Sequence, residues 1–315
     1  MNIAWLHMTS EYQLSTNQYV KKDLESLFHR PEFFKLHCTE EGHYFEWSNG
    51  ENVAGCIHFT NVGTGLWRSP ARGTYGGFLF FNELKVEEQF HFYEAMEQAV
   101  LANGAQELEV LLAPMSHDPI GFSNQFYLLY AKGFIVSQCD LNHSLDVDSR
   151  SLKERMSYGN QKRLKKCERE NLRAKQLALH VLPEVYDALS ANRSAKGYSM
   201  SMSLEQLGSM VEAFPDAVLL FGSWDKDLLA AAALCLRVSE TVLYVFYWGD
   251  RPGYSSTSPV VSVADAIYSY CQENQIMKLD IGTSTVDSEP NFGLIQFKRG
   301  LGFTESLKIR MRKSL

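Results

Sequence analysis

No stretch of this 315-residue chain reaches the eighteen or more consecutive apolar residues that a membrane-spanning helix needs. Its first residues, "MNIAWLHMTSEYQ", have neither a basic n-region nor a sustained apolar core, so no secretory leader is expected. The six cysteines, Cys38, Cys56, Cys139, Cys167, Cys235 and Cys271, are scattered without a C-x-x-C pair. That pattern reads as reduced thiols in a cytoplasm rather than a disulfide framework or a zinc site. The nine histidines show no H-x-H or H-x-x-x-H spacing, so no metal site is expected either. A nucleophile elbow, a P-loop and a His-Asp pair near a Ser or Cys are all missing, which points away from covalent catalysis and nucleotide hydrolysis.

What is present is the composition of a packed globular protein, 45% hydrophobic and 12% aromatic, with room for two domains. The net charge of −7 argues against a broadly basic nucleic-acid binder. One segment runs the other way. From Arg150 to Lys175 there are ten Lys or Arg residues against three acids, and its core reads "GNQKRLKKCERENLRAK". Two readings stand: a solvated helix joining two halves, or a surface for phosphates. A helix over 162–175 would put Arg163, Lys166 and Arg169 on one face.

The halves repeat one another. "HYFEWSNGENVAGCIHFT" reads as a hairpin around Ser-Asn-Gly, and "VLLFGSWDKDLLAAAALCLRV" as a hairpin around Asp225-Lys226-Asp227. A third strand-like run follows each, "GGFLFF" and then "TVLYVFYWG". A helix comes next: Val86, Phe90, Tyr93, Met96 and Val100 recur at helical spacing, and the second helix starts with Ser258 as N-cap and Pro259 at its first position. Then come the strands "ELEVLLAP" and "IMKLDIGT", and finally "AKGF" and "FKRGLGF", which lie about 170 residues apart and read as closing hairpins. The order matches two tandem GNAT-like (acyl-CoA N-acyltransferase-like) α/β domains with mixed, mostly antiparallel sheets. The expected division is residues 1–148, a basic helical linker 149–176, and 177–315.

The stretches "YVFYWGDRPGYSSTSP" and "LDIGTSTVDSEPNFGLIQFKRGLGF" resemble the C-terminal half of the FemAB-like double-GNAT family. That family has an aromatic strand, a Pro-started helix, a D-x-G strand end and a closing F-K-x-x-x-G element. "SPARGTYGGFLF" is more loosely similar to its Arg-Gly turn in the first half. The single-domain GNAT pyrophosphate signature is replaced by "RPGYSS", and there is no room for the helical-hairpin arm of staphylococcal-type members. The resemblance implies transfer of an acyl or aminoacyl group to an amine acceptor. Members use aminoacyl-tRNA to extend peptidoglycan precursors, or acyl-CoA. The missing arm and the acidic chain favour an acyl-CoA donor with no metal. An aminoacyl-tRNA-dependent transferase of the cell-wall type and a non-catalytic ligand-binding protein remain as alternatives.

The resemblance places Lys298 at the transfer site, with Phe297 beside it in the wall. Such chemistry needs a donor aimed at the developing oxyanion, worth roughly 3 to 4 kcal/mol. On the hairpin reading, Lys298 stands at the rim of a C-terminal cleft and Arg299 in solvent. Asp280 is a candidate to orient the amine or take its proton, or else a turn acid. Arg251, Ser255, Ser256 and Ser258 cluster before the Pro259 helix, where free N–H groups suit a CoA pyrophosphate or an RNA phosphate, unless Ser258 merely caps the helix. Tyr247 and Trp248 are candidates for the substrate pocket or the core. Arg193 and Lys196 are acceptor-phosphate candidates, and Arg72 and Tyr75 are first-half substrate candidates.

Overall fold

The computed structural model describes residues 10–20, 24–38, 40–81, 84–286 and 288–315. The leader reading falls mainly on residues 1–9, outside that set. The chain forms two compact units, one from residues 1–24, 28–139 and 308–315, the other from 25–27 and 140–307. No helix among the described residues is long and apolar enough to cross a membrane.

The first unit contains β1 (Gln13–Thr16), α1 (Pro31–His37), β2 (Gly42–Asn49), β3 (Asn52–Asn61), β4 (Leu66–Ser69) and β5 (Leu79–Phe80). They are followed by α2 (Val86–Ala102), β6 (Glu107–Leu111), α3 (Pro119–Ala131) and the start of β7 (Ile135–Asp146). Its strands run in the order β1-β2-β3-β4-β6, with β4 and β6 parallel and β5 paired with β3. The apolar face of α2, with Phe92, Tyr93, Met96 and Val100, packs into a core with Phe45, Ile57, Trp67 and Val110. "GGFLFF" therefore yields only the two-residue β5, because the parallel place beside β6 belongs to β4.

The second unit takes the end of β7 and adds α4 (Leu152–Arg155), α5 (Tyr158–Arg169), β8 (Ala174–Leu177), α6 (Leu182–Ser194) and α7 (Leu204–Ala213). Then come β9 (Val218–Asp225), β10 (Leu228–Arg237), β11 (Val242–Asp250), α8 (Val260–Glu273) and β12 (Lys278–Thr283). The chain closes with the small hairpin β13 (Thr285–Val286) and β14 (Glu289–Pro290), α9 (Phe292–Gly300) and β15 (Thr304–Ser314). The order here is β7-β12-β11-β10-β9-β8, with β11 and β12 parallel. The basic segment is helical only to Arg169, after which it turns into the edge strand β8.

The units do not follow the sequence halves. The end of β15, from Arg310 to Ser314, pairs with β6 and so belongs to the first unit. The end of β7, from Asn142 to Asp146, pairs with β12 and belongs to the second.

The Gly-Phe repeat is a helix stop rather than a hairpin. Asp118 accepts the N–H groups of Ile120 and Gly121 at the start of α3, and Asn291 accepts that of Leu294 at the start of α9. Both helices then end on a glycine in the left-handed region, Gly133 at φ +87° and Gly302 at φ +97°. Phe134 and Phe303 follow and are buried, anchoring the next strand.

A side chain at either glycine is strained, at about 1–2 kcal/mol for the left-handed conformation alone. At Gly302 an added Cβ would also lie 2.7 Å from Arg155 Cβ, whereas at Gly133 the nearest atom is Lys313 Cε at 3.9 Å. Gly302→Ala is thus expected to lower stability more than Gly133→Ala, as measured by urea unfolding of the two variants.

Candidate active site

In the second unit β12 carries Asp280 into the interior, fully buried between β11 and β7, where it stands opposite Tyr244 and Ser144. Its carboxylate accepts the N–H of Gly282 at 2.7 Å and Nδ2 of Asn142 at 3.0 Å. Gly282 has φ +75°, so the strand end curls back over the aspartate. From the other side α9 brings Lys298, which is 1% exposed. Its Nζ donates to the carbonyls of Gly282 and Thr283, both at 2.8 Å.

Lys298 is therefore not at a rim. Its position on α9, seven residues into a helix, turns it inward, while Arg299 is 62% exposed and pairs with Glu305. Burial lowers the Lys298 pKa to about 7, against the opposing charge of Asp280. Beside it His143 is buried, with Nδ1 3.1 Å from Ser284 Oγ. Its Nε2 lies 3.5 Å from a Glu305 oxygen, too far for a good hydrogen bond. Burial, with the Lys298 charge adding to it, holds this imidazole neutral down to about pH 4.

Phe297, next to Lys298, meets Trp248 with ring centroids 5.8 Å apart, so these two form a wall against the core. Tyr247 is buried, its hydroxyl bonded to Ser201 Oγ and its ring under the Arg193 guanidinium at 5.6 Å. Lys196 donates to Asn192 Oδ1 at 3.0 Å, and Asn192 reaches the Asp250 carbonyl across the open face of Gly249. Arg193 and Lys196 thus lie around Tyr247 and the end of β11. Arg72 and Tyr75 belong to the first unit: Arg72 is exposed, and Tyr75 is buried edge-on against Phe28 and His117.

The start of α8 differs from the capping expected. Pro259 is the N-cap, and the side chain that binds the first turn is Asp250, which accepts the Val260 N–H at 2.6 Å. Ser258, at φ +55°, donates its hydroxyl to the same carboxylate at 3.1 Å. Burial raises the Asp250 pKa to about 6, while these two hydrogen bonds hold it down. Arg251 is engaged by the Leu229 carbonyl and by Asp187. Ser255 and Ser256 are exposed, and the Ser256 carbonyl accepts Lys166 Nζ. The seat at this helix N-terminus is already filled by an anion of the protein's own.

Sequence reading missed Asn142, His143, Asn192 and Asp250. Asn142, His143 and Asn192 lie in no recognisable motif and act through partners far away in the chain, whereas Asp250, within the quoted aromatic stretch, caps a helix only ten residues on. Only the Asp-x-Gly spacing of Asp280 and Gly282 gave a local signal.

Among solved structures the chain is similar to FemX, with a TM-score of 0.70, 11% identity and 94% of each chain covered. It is also similar to the C-terminal domain of a putative lysylphosphatidylglycerol synthetase from Agrobacterium fabrum, at TM-score 0.61 and 9% identity over 94% of this chain and 90% of that one. A tandem GNAT protein from the clavulanic acid biosynthesis pathway aligns at TM-score 0.50 and 11% identity, over 87% and 82%. The fold is therefore the tandem GNAT-type fold of the FemAB-like structures. No protein-family model and no curated protein matches the sequence.

Removing the amine leaves Asp280 buried and uncompensated, a change of about 3 kcal/mol or more. Lys298→Met is expected to cost that much at pH 7, and Arg299→Met less than about 0.5 kcal/mol. Because the folded pKa of about 7 lies below the unfolded value of 10.5, the unfolded chain binds the extra proton between them. The wild type should therefore gain stability over Lys298→Met as pH rises from 7 towards 10.5, with a flat difference below 7. Melting temperatures of both proteins across that range test the sign.

Proposed function

We propose that the second unit transfers an acyl group, in particular an aminoacyl group from an ester donor, to an amine acceptor. The observation that carries the choice of donor is the Asp250 carboxylate on the Val260 N–H. A pyrophosphate favours a helix N-terminus with free N–H groups, and here it would meet a like charge instead. In the first unit the corresponding helix α2 has Glu87 and Glu88 in its first turn, which also oppose an anion. An acyl-CoA donor thus fits the chain poorly.

An ester between an amino acid and a ribose hydroxyl needs no such seat. Two of the structures of similar fold are named as FemX and as a putative synthetase of lysylphosphatidylglycerol, which favours aminoacyl chemistry here as well. In the proposed step the neutral acceptor amine attacks the ester carbonyl. A C–N bond forms, the C–O bond to the ribose breaks, and the amine proton passes to the leaving oxygen, directly or through water. Lys298, still partly protonated near neutral pH, supplies positive charge towards the oxyanion, and Asp280 with Asn142 holds the Gly282 turn that positions it. Tyr247, Arg193 and Lys196 line the approach at the end of β11.

The test is thermal shift and calorimetry with acetyl-CoA, free CoA and a non-hydrolysable 3′-aminoacylamido-adenosine or short acceptor-stem RNA. Binding of the aminoacyl analogues, without a shift from either CoA species, is the expected result. Saturable binding of acyl-CoA, strengthened by Asp250→Asn, would overturn the donor assignment. Once transfer is measurable, Lys298→Met is expected to lower kcat on the order of 10²-fold, the usual size for loss of one such donor.

A further inference from the structure

Away from the Lys298 network, α5, β8 and α8 enclose a groove of about 410 Å³. Its floor is apolar, built from Leu164, Phe221, Ala266 and the ring of Tyr270, with Phe221 and Tyr270 meeting edge-on at 5.6 Å. At one end the hydroxyl of Ser262 accepts the N–H of Ala174, fixing the edge strand to the helix.

The walls carry charge of both signs. Glu168, Asp265 and Glu273 stand on the helices, and Arg173 and Lys175 on the strand side. Among the described residues none of these five forms an ion pair; Arg173, Lys175 and Glu273 are exposed, and Glu168 and Asp265 are half-buried. Asp265 is half-buried on α8, and burial together with the Glu168 carboxylate holds its pKa above the ordinary value. The Lys153 charge pulls it down without reversing the shift. Acids from the two helices and cations from the strand side thus line one groove over an apolar floor.

We propose that this groove binds a free α-amino acid with an apolar or aromatic side chain. The ammonium group goes to Asp265 and Glu168, the carboxylate to Arg173 and Lys175, and the side chain to Tyr270 and Phe221. A cavity of this size is at the lower end of the range for small-ligand sites, which suits a single amino acid and not a nucleotide. The half-buried position of Asp265 makes its contact stronger than a surface pair, because water screens it less. Both ends of the ligand must be charged, which separates this site from an unselective amine or carboxylate site. Binding here is independent of the transfer reading, since no lining residue belongs to the Lys298 network.

The experiment uses the full chain, with thermal shift and calorimetry for leucine and phenylalanine, then Nα-acetyl-leucine and leucinamide. A saturable rise in melting temperature with leucine or phenylalanine, at concentrations up to about 10 mM, is expected from mass action. The acetylated and amidated forms, each lacking one charge, should give none. Asp265→Asn and Arg173→Met, on opposite walls and both accessible to water, should each weaken binding at least about tenfold, the loss of roughly 1.4 kcal/mol. Lys298→Met should leave it unchanged. No shift with any apolar amino acid, equal binding of the blocked forms, or unchanged binding in both wall variants would overturn the assignment.

Discussion

The candidate site hangs on one glycine. The N–H of Gly282 binds Asp280 and its carbonyl binds Lys298, so a single residue separates a buried carboxylate from a buried amine. Its φ of +75° is what allows the strand end to offer both groups at once. Taking two ions out of water costs several kcal/mol for each, and their attraction offsets this only if their remaining hydrogen-bonding capacity is met. The Thr283 carbonyl provides a second acceptor for Lys298, and Asn142 a donor for Asp280. Such a pair is poor material for stability, which apolar side chains supply more cheaply. What it does provide is an amine held in one place, with a pKa drawn down to about 7.

The second constraint is the negative charge placed where a helix offers partial positive charge. Asp250 sits at the end of β11 and caps α8 from ten residues away in the chain. Its interaction with the dipole and with Ser258 stabilises the turn between strand and helix, and it removes the anion seat that a phosphate-bearing donor would use. The basic helix α5 does not replace that seat. Lys166 is drawn to the Ser256 carbonyl and to Glu170, Arg163 to Asn160, and Lys162 lies over the Tyr158 ring. These cations of α5 are thus held by the protein's own groups.

Much of the fold was legible because it depends on local periodicity. The two hairpins, the helices α2 and α8 and the strands β6 and β12 follow from alternation, helical spacing and turn residues. The helices α3 and α9 were not legible, because Gly121, Gly293 and the polar residues around them look like loops. What makes these segments helical is capping by Asp118 and Asn291, together with burial of Leu128, Leu129 and Ile295. The exchange of terminal strands was invisible for another reason: which neighbour a strand pairs with is decided by tertiary packing rather than by its own residues. In the site, Lys298 and Asp280 could be named from a motif, but their burial and their meeting at Gly282 could not. The five unpaired charges of the groove carry no signature at all, since pairing is a property of distance.

Comparison of the two units separates what the fold needs from what the chemistry needs. The helix stops align Gly133 with Gly302, and counting back from them sets Leu129 of α3 at the place of Lys298 in α9. Leu129 is fully buried in the first unit's core. The same backbone thus accepts an apolar side chain there, without any of the desolvation that a lysine incurs. The buried acid on the matching strand also changes partner: Glu109 on β6 is paired with Arg68 from the neighbouring strand, whereas Asp280 on β12 faces an amine brought in by a helix. An arginine held on a strand stays charged and bound, while a lysine near neutrality can share or give up a proton. The fold is built twice, and at this matched helix position one copy carries an apolar side chain and the other a buried amine.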